Sequence, residues 1–146
     1  NQVSFFNDDF EMVSRVVDGN YPDYKKIIPE KCLSRVLVKK DELDKTIRVA
    51  GLFSTNISDI KINCLDGKIA VLAKNSDKGE IETLVEASLK NQPFEVSLNF
   101  HYLLDGLKTV DTEKVIIEFT GQGSPLVIRP NDDRKDVVYL IMPLRS

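Results

Sequence analysis

The hydrophobic and polar positions after residue 32 change period along the chain, and these changes predict an α+β fold. Leu43, Ile47 and Ala50 recur at helical spacing, which predicts a first helix over residues 39–53. Asn99 is a strong N-cap residue, so a second helix is predicted over residues 100–108. Between turn sequences, the other patterns predict strands over residues 33–38, 57–64, 68–74, 80–89, 94–98, 114–120, 125–129 and 137–142.

The order of these elements predicts how they pack. A strand, a helix and three strands come first, and the short strand at residues 94–98 then leads into the second helix and three more strands. The two halves therefore echo each other weakly in element order. We expect two helices packed on one side of antiparallel β-sheets.

The first 29 residues predict a separate unit. Residues 3–6 and 10–17 flank a polar Asn-Asp-Asp turn, which is typical of a β-hairpin. A lone hairpin is at best marginally stable in water. It must therefore pack on the rest of the chain or on a neighbouring domain, and the lack of an initiator Met fits a fragment or a processed chain.

Composition and charge narrow the class of protein. The 146 residues are 42% hydrophobic and 29% charged, as in an ordinary globular domain. No apolar run approaches the ~20 residues that a membrane span needs, and the start lacks the pattern of a signal peptide. A net charge of −3 argues against a compact, high-affinity nucleic-acid binder, although not against a protein that surrounds DNA and touches it lightly.

Few side chains offer metal-binding or catalytic chemistry. Cys32 and Cys64 form neither a CxxC pair nor a metal-ligand spacing, so we expect reduced core thiols in a cytoplasmic protein. His101 is the single histidine, which excludes zinc sites built on two or more histidines and leaves a Ser-His-Asp triad only arithmetically possible. Its spacing to Asp105 and Lys108 predicts an exposed helix face.

A row of carboxylates, Glu80, Glu82 and Glu86, lies on one predicted strand. Such a row can serve as acid and base or hold a divalent metal. Strand alternation, however, puts the acids in water and the intervening residues inside, namely Ile81, Thr83, Val85 and Ala87. We therefore expect neither catalysis nor a cofactor, and a hydrolase using this row is the less favoured alternative.

Two segments far apart in the sequence are apolar strips edged by cations and stiffened by proline: the connector strip, residues 20–29, and the tail strip, residues 139–146. Proline fixes φ and removes a backbone donor, so we expect neither strip inside a regular sheet or helix. The two strips should meet in space. Their apolar side chains and a methionine would form an adaptable slot for the apolar side chains of a peptide.

Four motifs resemble those of one family, in the right order. They are residues 18–24 (Asp-Gly-Asn-Tyr-Pro-Asp-Tyr), residues 48–54 (Arg-Val-Ala-Gly-Leu-Phe-Ser), residues 98–107 (Leu-Asn-Phe-His-Tyr-Leu-Leu-Asp-Gly-Leu) and residues 142–145 (Met-Pro-Leu-Arg). Together they resemble the bacterial sliding-clamp family, the β subunits of DNA polymerase III. The resemblance implies that residues 1–29 are the end of a second clamp domain with its connector, and residues 30–146 a third domain.

The resemblance also implies a function. The parent protein would be a non-catalytic, cytoplasmic processivity factor, a homodimeric ring that encircles duplex DNA without reading its sequence. It would tether DNA polymerase subunits, the clamp loader and repair proteins through their short linear motifs. The residues carried over to the peptide pocket are Pro22, Tyr24, Lys26, Ile27, Leu140, Ile141, Met142, Pro143, Leu144 and Arg145.

Other surfaces follow from the same resemblance. Lys45, Arg48 and Lys108 would face DNA, and Leu52 and Phe53 would lie in the dimer interface. Leu52 is also predicted to project off the core face of its helix, because other residues already supply that face. The alternative for Leu52 and Phe53 is that they cover the local core.

The chain departs from the family pattern at two positions. Ser146 ends a tail that in the family often finishes on an apolar residue, and Lys26 stands where an arginine is common. Lysine loses the bidentate geometry of arginine, so the preferred peptide is expected to differ. A free-standing protein-interaction domain, unconnected to replication, is the alternative to a clamp.

Overall fold

The computed structural model describes residues 1–132 and 136–145, and within them the chain forms ten strands and two α-helices. The helices are α1, Lys40–Gly51, and α2, Phe100–Lys108. A 3₁₀ turn spans Tyr24–Lys26. The strands are β1 (Gln2–Phe6), β2 (Glu11–Arg15), β3 (Ser34–Lys39), β4 (Asp59–Leu65), β5 (Lys68–Asn75), β6 (Gly79–Asn91), β7 (Phe94–Asn99), β8 (Lys114–Phe119), β9 (Leu126–Pro130) and β10 (Tyr139–Ile141).

Eight of the strands form one antiparallel sheet in the order β10-β9-β8-β3-β6-β5-β4-β7. The long strand β6 joins its two halves, since residues 79–86 pair with β5 and residues 87–91 pair with β3. The unit β3-α1-β4-β5-β6 recurs as β7-α2-β8-β9-β10. The predicted α+β class and the echo between the two halves are confirmed.

The helices bury their apolar faces against this sheet. Leu43, Ile47 and Ala50 of α1 are 0% exposed, which confirms the predicted helical period. On α2, Leu103 and Leu107 are buried in the same way. Alternation along the strands leaves the opposite side of the sheet, called here the outer face, to residues such as Arg35 and Glu118.

The ends of the helices follow local chemistry. Asn99 Oδ1 accepts a hydrogen bond from the His101 backbone N at 3.0 Å, which confirms the predicted N-cap of α2. The first helix is shorter than the predicted 39–53. It begins after Lys39, which provides no side-chain cap, and ends at Gly51, whose position allows the Phe100 ring to approach.

The tail differs from the expectation for proline-stiffened strips. Its first three residues form β10, with Leu140 paired to Val127 of β9, which confirms the strand predicted over residues 137–142. The expectation that the tail strip avoids a sheet is therefore wrong for Tyr139–Ile141. Pro143 lies beyond the strand end, where it costs no ladder hydrogen bond. The Leu144 backbone N then donates to Ser97 O of β7 at 2.9 Å, so the tail links the two edges of the sheet.

The β1–β2 hairpin forms with the predicted turn and pairs Phe5 with Met12. All of its residues are exposed, including Phe6 at 79% and Phe10 at 58%. Its apolar side chains have no cover from the part of the chain that the structure describes. This agrees with the expectation that the hairpin needs a further surface to pack on.

Candidate functional site

The connector strip and the tail strip meet on the outer face of the sheet and enclose a cavity of about 460 Å³, called here the connector cavity. Its wall is mainly apolar and carries one cation and one anion. The lining residues are Tyr24, Lys25, Ile27, Ile28, Asp136, Val138 and Leu140. The expected meeting of the two strips is therefore present in the structure.

The connector wall is shaped by the 3₁₀ turn. The Lys26 N donates to Asp23 O at 3.2 Å, and the Ile27 N donates to Tyr24 O at 3.0 Å. Residues three apart in such a turn lie on the same side, which places Tyr24 and Ile27 together on the cavity. The Tyr21 ring meets the Tyr24 ring edge-on at 6.3 Å and supports it from outside.

The tail wall is shaped by strand alternation in β10. Leu140 points to the outer face and lines the cavity, while Ile141 points inward and is 2% exposed. The expectation that Ile141 contributes to the pocket wall is therefore corrected, because its side chain belongs to the core. Tyr139 shares the inward side and packs where Gly106 leaves room on α2.

The other predicted pocket residues do not line the connector cavity. Pro22 and Lys26 are exposed, and Lys26 forms an ion pair with Asp23 at 3.1 Å. Met142 is 59% exposed. At the end of the tail, Pro143 and Leu144 are half-buried and Arg145 is exposed, while Ser146 lies outside the described residues.

Some lining residues were missed by the sequence reasoning. Val138 lies two residues before Leu140 and so shares its side of the tail, a signal that alternation could have supplied. Ile28 follows Ile27 in the connector strip, and its apolar side chain could have been predicted to line the cavity on the same ground. Lys25 and Asp136 had no such signal, because their position depends on how the connector crosses β10.

The predicted DNA-facing cations lie on the helices and are largely balanced by acids. Arg48 donates to the Asp44 carboxylate at 2.6 and 3.1 Å, which raises the Arg48 pKa. Lys108 donates to Asp105 at 2.8 Å and lowers the pKa of that carboxyl group. Lys45 is exposed on α1, where three acidic residues match the three basic ones. The helix surfaces therefore carry no net formal charge.

The two predicted interface residues differ from each other. Leu52 is 68% exposed just after α1, whereas Phe53 is half-buried and packs against the core. Nearby, β6 pairs with β5 along residues 79–86, but no strand of the described chain pairs with the opposite edge of that stretch. An unpaired strand edge is a natural site for another chain to add.

The carboxylate row lies on the outer face as expected, with Glu80, Glu82 and Glu86 exposed and Val85 buried. Lys74 pairs with Glu80 at 3.3 Å. Within residues 1–132 and 136–145, no cluster of three or more His, Cys, Asp or Glu side chains could hold a metal ion.

The cysteines and the histidine are separated. Cys64 is buried, and burial raises its pKa to about 12. Cys32 is half-buried beside Arg35, so the expectation of a core thiol is wrong for this residue. His101 is exposed on α2, as predicted.

A model of the family described as the DNA polymerase III beta subunit, C-terminal domain, matches residues 25–145. Among relatives, the chain is 30% identical over 138 residues to a beta sliding clamp of Proteus mirabilis, covering 94% of this chain and 37% of that protein. It is 28% identical over 149 residues to a beta sliding clamp of Staphylococcus aureus, covering 100% of this chain and 39% of that protein.

Solved structures agree with the sequence relatives. The DNA polymerase III beta subunit of Thermotoga maritima matches with a TM-score of 0.91 at 29% identity, covering 99% of this chain and 40% of that one. A DNA polymerase sliding clamp of Pseudomonas aeruginosa, solved with a ligand, matches with a TM-score of 0.92 at 25% identity, with coverage of 99% and 40%.

The fold defined by these likenesses is that of a DNA-clamp domain, built from two strand-helix-three-strand units. The chain belongs to the family of the C-terminal domain of the DNA polymerase III beta subunit. It spans less than half of the length of the curated relatives that it matches, 37% for the Proteus mirabilis clamp and 39% for the Staphylococcus aureus clamp. None of the helices in the described residues is long and apolar enough to span a bilayer.

Proposed function

We propose that this chain is the C-terminal part of a bacterial sliding clamp, a non-catalytic, cytoplasmic processivity factor that encircles duplex DNA and tethers replication and repair enzymes. The observation that carries the proposal is the connector cavity, where a proline-bounded segment and the chain's tail form one apolar slot. Family membership supplies the context. Residues 1–29 would close a second domain, whose remainder would cover the exposed hairpin, and residues 30–146 would form the third.

The slot is suited to a short linear peptide rather than to a small polar substrate. Tyr24, Ile27 and Leu140 offer apolar contact to leucine or phenylalanine anchors, and the exposed Met142, two residues after Leu140, can adapt to different side chains. Lys25, Lys26 and Arg145 can meet polar or carboxylate groups of the peptide. Binding on the order of micromolar is expected, because ordering the peptide offsets much of the apolar burial.

The experiment is a titration of the chain with a fluorescent peptide bearing a Gln-x-x-Leu-Phe pattern. Ile27→Ala removes part of the cavity wall and should weaken binding about fivefold, since roughly 1 kcal/mol is lost from a half-exposed side chain. Ile57→Ala is the matched control, because Ile57 has a similar exposure (62% against 52%) and does not line the cavity. Equal affinities for the two variants would contradict the pocket assignment.

We expect the proposed contact with DNA to be weak. Arg48 and Lys108 are paired with helix acids, and of the three predicted cations only Lys45 has no ion pair within the described residues. A ring that holds DNA by topology needs few phosphate contacts, and weak ones permit sliding. The chain alone should therefore show no detectable binding to a short duplex at physiological salt. Tight, salt-resistant binding would contradict this proposal.

Ring closure is proposed to use Leu52 and the open edge of β6, with Phe53 as a partly buried support. Strand addition along residues 79–86 would continue the sheet into a partner subunit, and Leu52 would give the contact an apolar anchor. Leu52→Ser in the full-length protein should weaken the dimer and shorten its lifetime on circular DNA. A full-length variant that stays dimeric in sedimentation, with an unchanged lifetime on DNA, would place the closure elsewhere.

A further inference from the structure

A second cavity, called here the arginine cavity, lies on the outer face of β3, β8 and β9 and has a volume of about 440 Å³. It is separate from the connector cavity, although the connector strip contributes Ile28 to one and Pro29 to the other. No role proposed above uses it. Its floor contains Glu118, which is only 7% exposed on the outer face of the sheet.

Two arginines from neighbouring strands hold this carboxylate. Arg35 Nη2 donates to Glu118 Oε1 at 2.6 Å, and Arg129 Nε donates to Glu118 Oε2 at 3.1 Å. The strand register sets this meeting, since Arg35 of β3 lies directly opposite Glu118 of β8. The pairing raises the pKa of Arg35.

At the floor of the cavity, positive charge exceeds negative charge. One buried carboxylate faces two guanidinium groups, and the Arg129 side chain is only 27% exposed. Lys31, Glu30 and Asp132 also line the cavity, but all three are exposed, so solvent and salt screen their charges. Arg35, Arg129 and Glu118 therefore sum to a single positive charge at the floor of the cavity, whereas the three exposed residues around them sum to a single negative charge.

The two arginines also have more N–H donors than the Glu118 carboxylate uses. A guanidinium group presents five N–H donors in a rigid fork, and Glu118 takes one from each arginine. Paired guanidinium forks match the geometry of carboxylate and phosphate oxygens. The half-buried Ile116 and the walls at Pro29 and Pro130 give the carbon skeleton of a ligand an apolar surface.

We propose that the arginine cavity is an oxyanion site, which binds a phosphate or carboxylate group between Arg35 and Arg129. This site goes beyond the proposed clamp function and does not depend on it. Two sources share the chemistry, namely free inorganic phosphate and the acidic side chain of a protein segment. Because the site is open and already holds one carboxylate, its affinity should be about millimolar, which corresponds to roughly 4 kcal/mol.

The test is a titration of the isotope-labelled chain, at constant ionic strength, followed by the arginine Nε–Hε signals in NMR spectra. The probes are inorganic phosphate and, separately, a short acetylated peptide with two glutamates. Saturable shifts of the Arg35 and Arg129 signals with either probe would support the site. The tighter probe identifies the source. Shifts that stay linear with both probes would overturn the proposal.

Variants separate a binding site from a purely structural ion network. Arg129→Gln should weaken phosphate binding about tenfold, the loss of one charge-assisted hydrogen bond, while the exposed Arg15→Gln on the hairpin should leave it unchanged. Glu118→Gln removes the competing carboxylate and should strengthen binding about tenfold or less. Arg129→Gln can perturb the fold, so Arg35→Gln is the second variant. The Arg35 side chain is 48% exposed, and its replacement should therefore disturb the packing less. A weaker or unchanged affinity for Glu118→Gln would contradict the proposal.

The outcome of the phosphate titration is independent of the test of the clamp proposal. Ile27→Ala, which affects the connector cavity, should leave the phosphate titration unchanged. Loss of phosphate binding in that variant would show that the two cavities are not independent, and would overturn the separate site.

Discussion

Replacing Gly106 by alanine tests the packing that supports the connector cavity. In an isolated helix this change would stabilise α2 by about 1 kcal/mol, because alanine is the better helix former. In the folded chain a Cβ at position 106 would lie 2.7 Å from Tyr139 Cδ1 and 2.8 Å from Ile128 Cδ1. Both atoms belong to side chains of the sheet, in β10 and β9, so they cannot swing freely into solvent.

The expected result is a net loss of stability. Overpacking a well-filled core costs about 1–3 kcal/mol, which outweighs the gain in helix propensity across most of its range. We therefore predict that Gly106→Ala lowers the free energy of unfolding by up to about 2 kcal/mol. Because Tyr139 must move, β10 and its neighbour Leu140 should shift, and peptide affinity should fall as well.

Urea unfolding followed by circular dichroism measures the first effect, with equal slopes required for the comparison. Ile128→Val removes the methyl group nearest the added Cβ, so combining it with Gly106→Ala should recover part of the loss. His101→Ala is the control at an exposed position of α2, where the substitution removes a contact with the Phe100 ring but brings no atom into the sheet. A Gly106→Ala variant that is more stable than the original chain would refute the close packing.

Three further predictions concern single residues. Thiol reagents at pH 8 should label Cys32 in the folded chain and Cys64 only after unfolding, because burial holds the Cys64 pKa at about 12. For the same reason Cys64 stays protonated in the folded chain while it ionises in the unfolded one, so stability should fall as pH rises from about 9 to about 12, and a Cys64→Ala variant should not show that part of the loss. Asn99→Ala should cost about 1 kcal/mol in urea unfolding through the lost N-cap of α2, and an unchanged midpoint would contradict the capping role.

Much of the fold was predictable because its signals are local. The period of Leu43, Ile47 and Ala50 identified α1, and Asn99 identified the start of α2. The alternation of exposed glutamates with inward residues identified the orientation of β6. These patterns depend on residues close in sequence, so they can be interpreted without knowing which distant residues are in contact.

The wrong predictions concern residues whose positions depend on contacts between distant parts of the chain. Proline in the tail argued against a sheet, whereas the residue pattern predicted a strand over residues 137–142, and β9 does pair with Tyr139–Ile141. Alternation in that strand then places Ile141 in the core rather than in the pocket wall. Cys32 was expected inside, although it is half-buried and lies next to Arg35 of the outer face. The close approach of Tyr139 and Ile128 to Gly106 also could not be predicted, because both residues come from strands that follow α2 in the chain.

The location of the candidate site was easier to predict than the residues that line it. The resemblance brought the connector and tail strips together, and Tyr24, Ile27 and Leu140 line the resulting cavity. The backbone hydrogen bond from Leu144 to Ser97 was not foreseeable. It makes deletion of the tail a poor test of binding, since the deletion would also unlink the two edges of the sheet.

The central claim is that the connector and β10 form a peptide-binding slot. It is tested most directly by titrating the isotope-labelled chain with the Gln-x-x-Leu-Phe peptide and mapping the backbone amide shifts. We expect saturable shifts concentrated at residues 24–28 and at Leu140, with little change on α1 or β4. Saturable shifts that cluster elsewhere, or no saturable shift with any peptide bearing leucine and phenylalanine anchors, would contradict it.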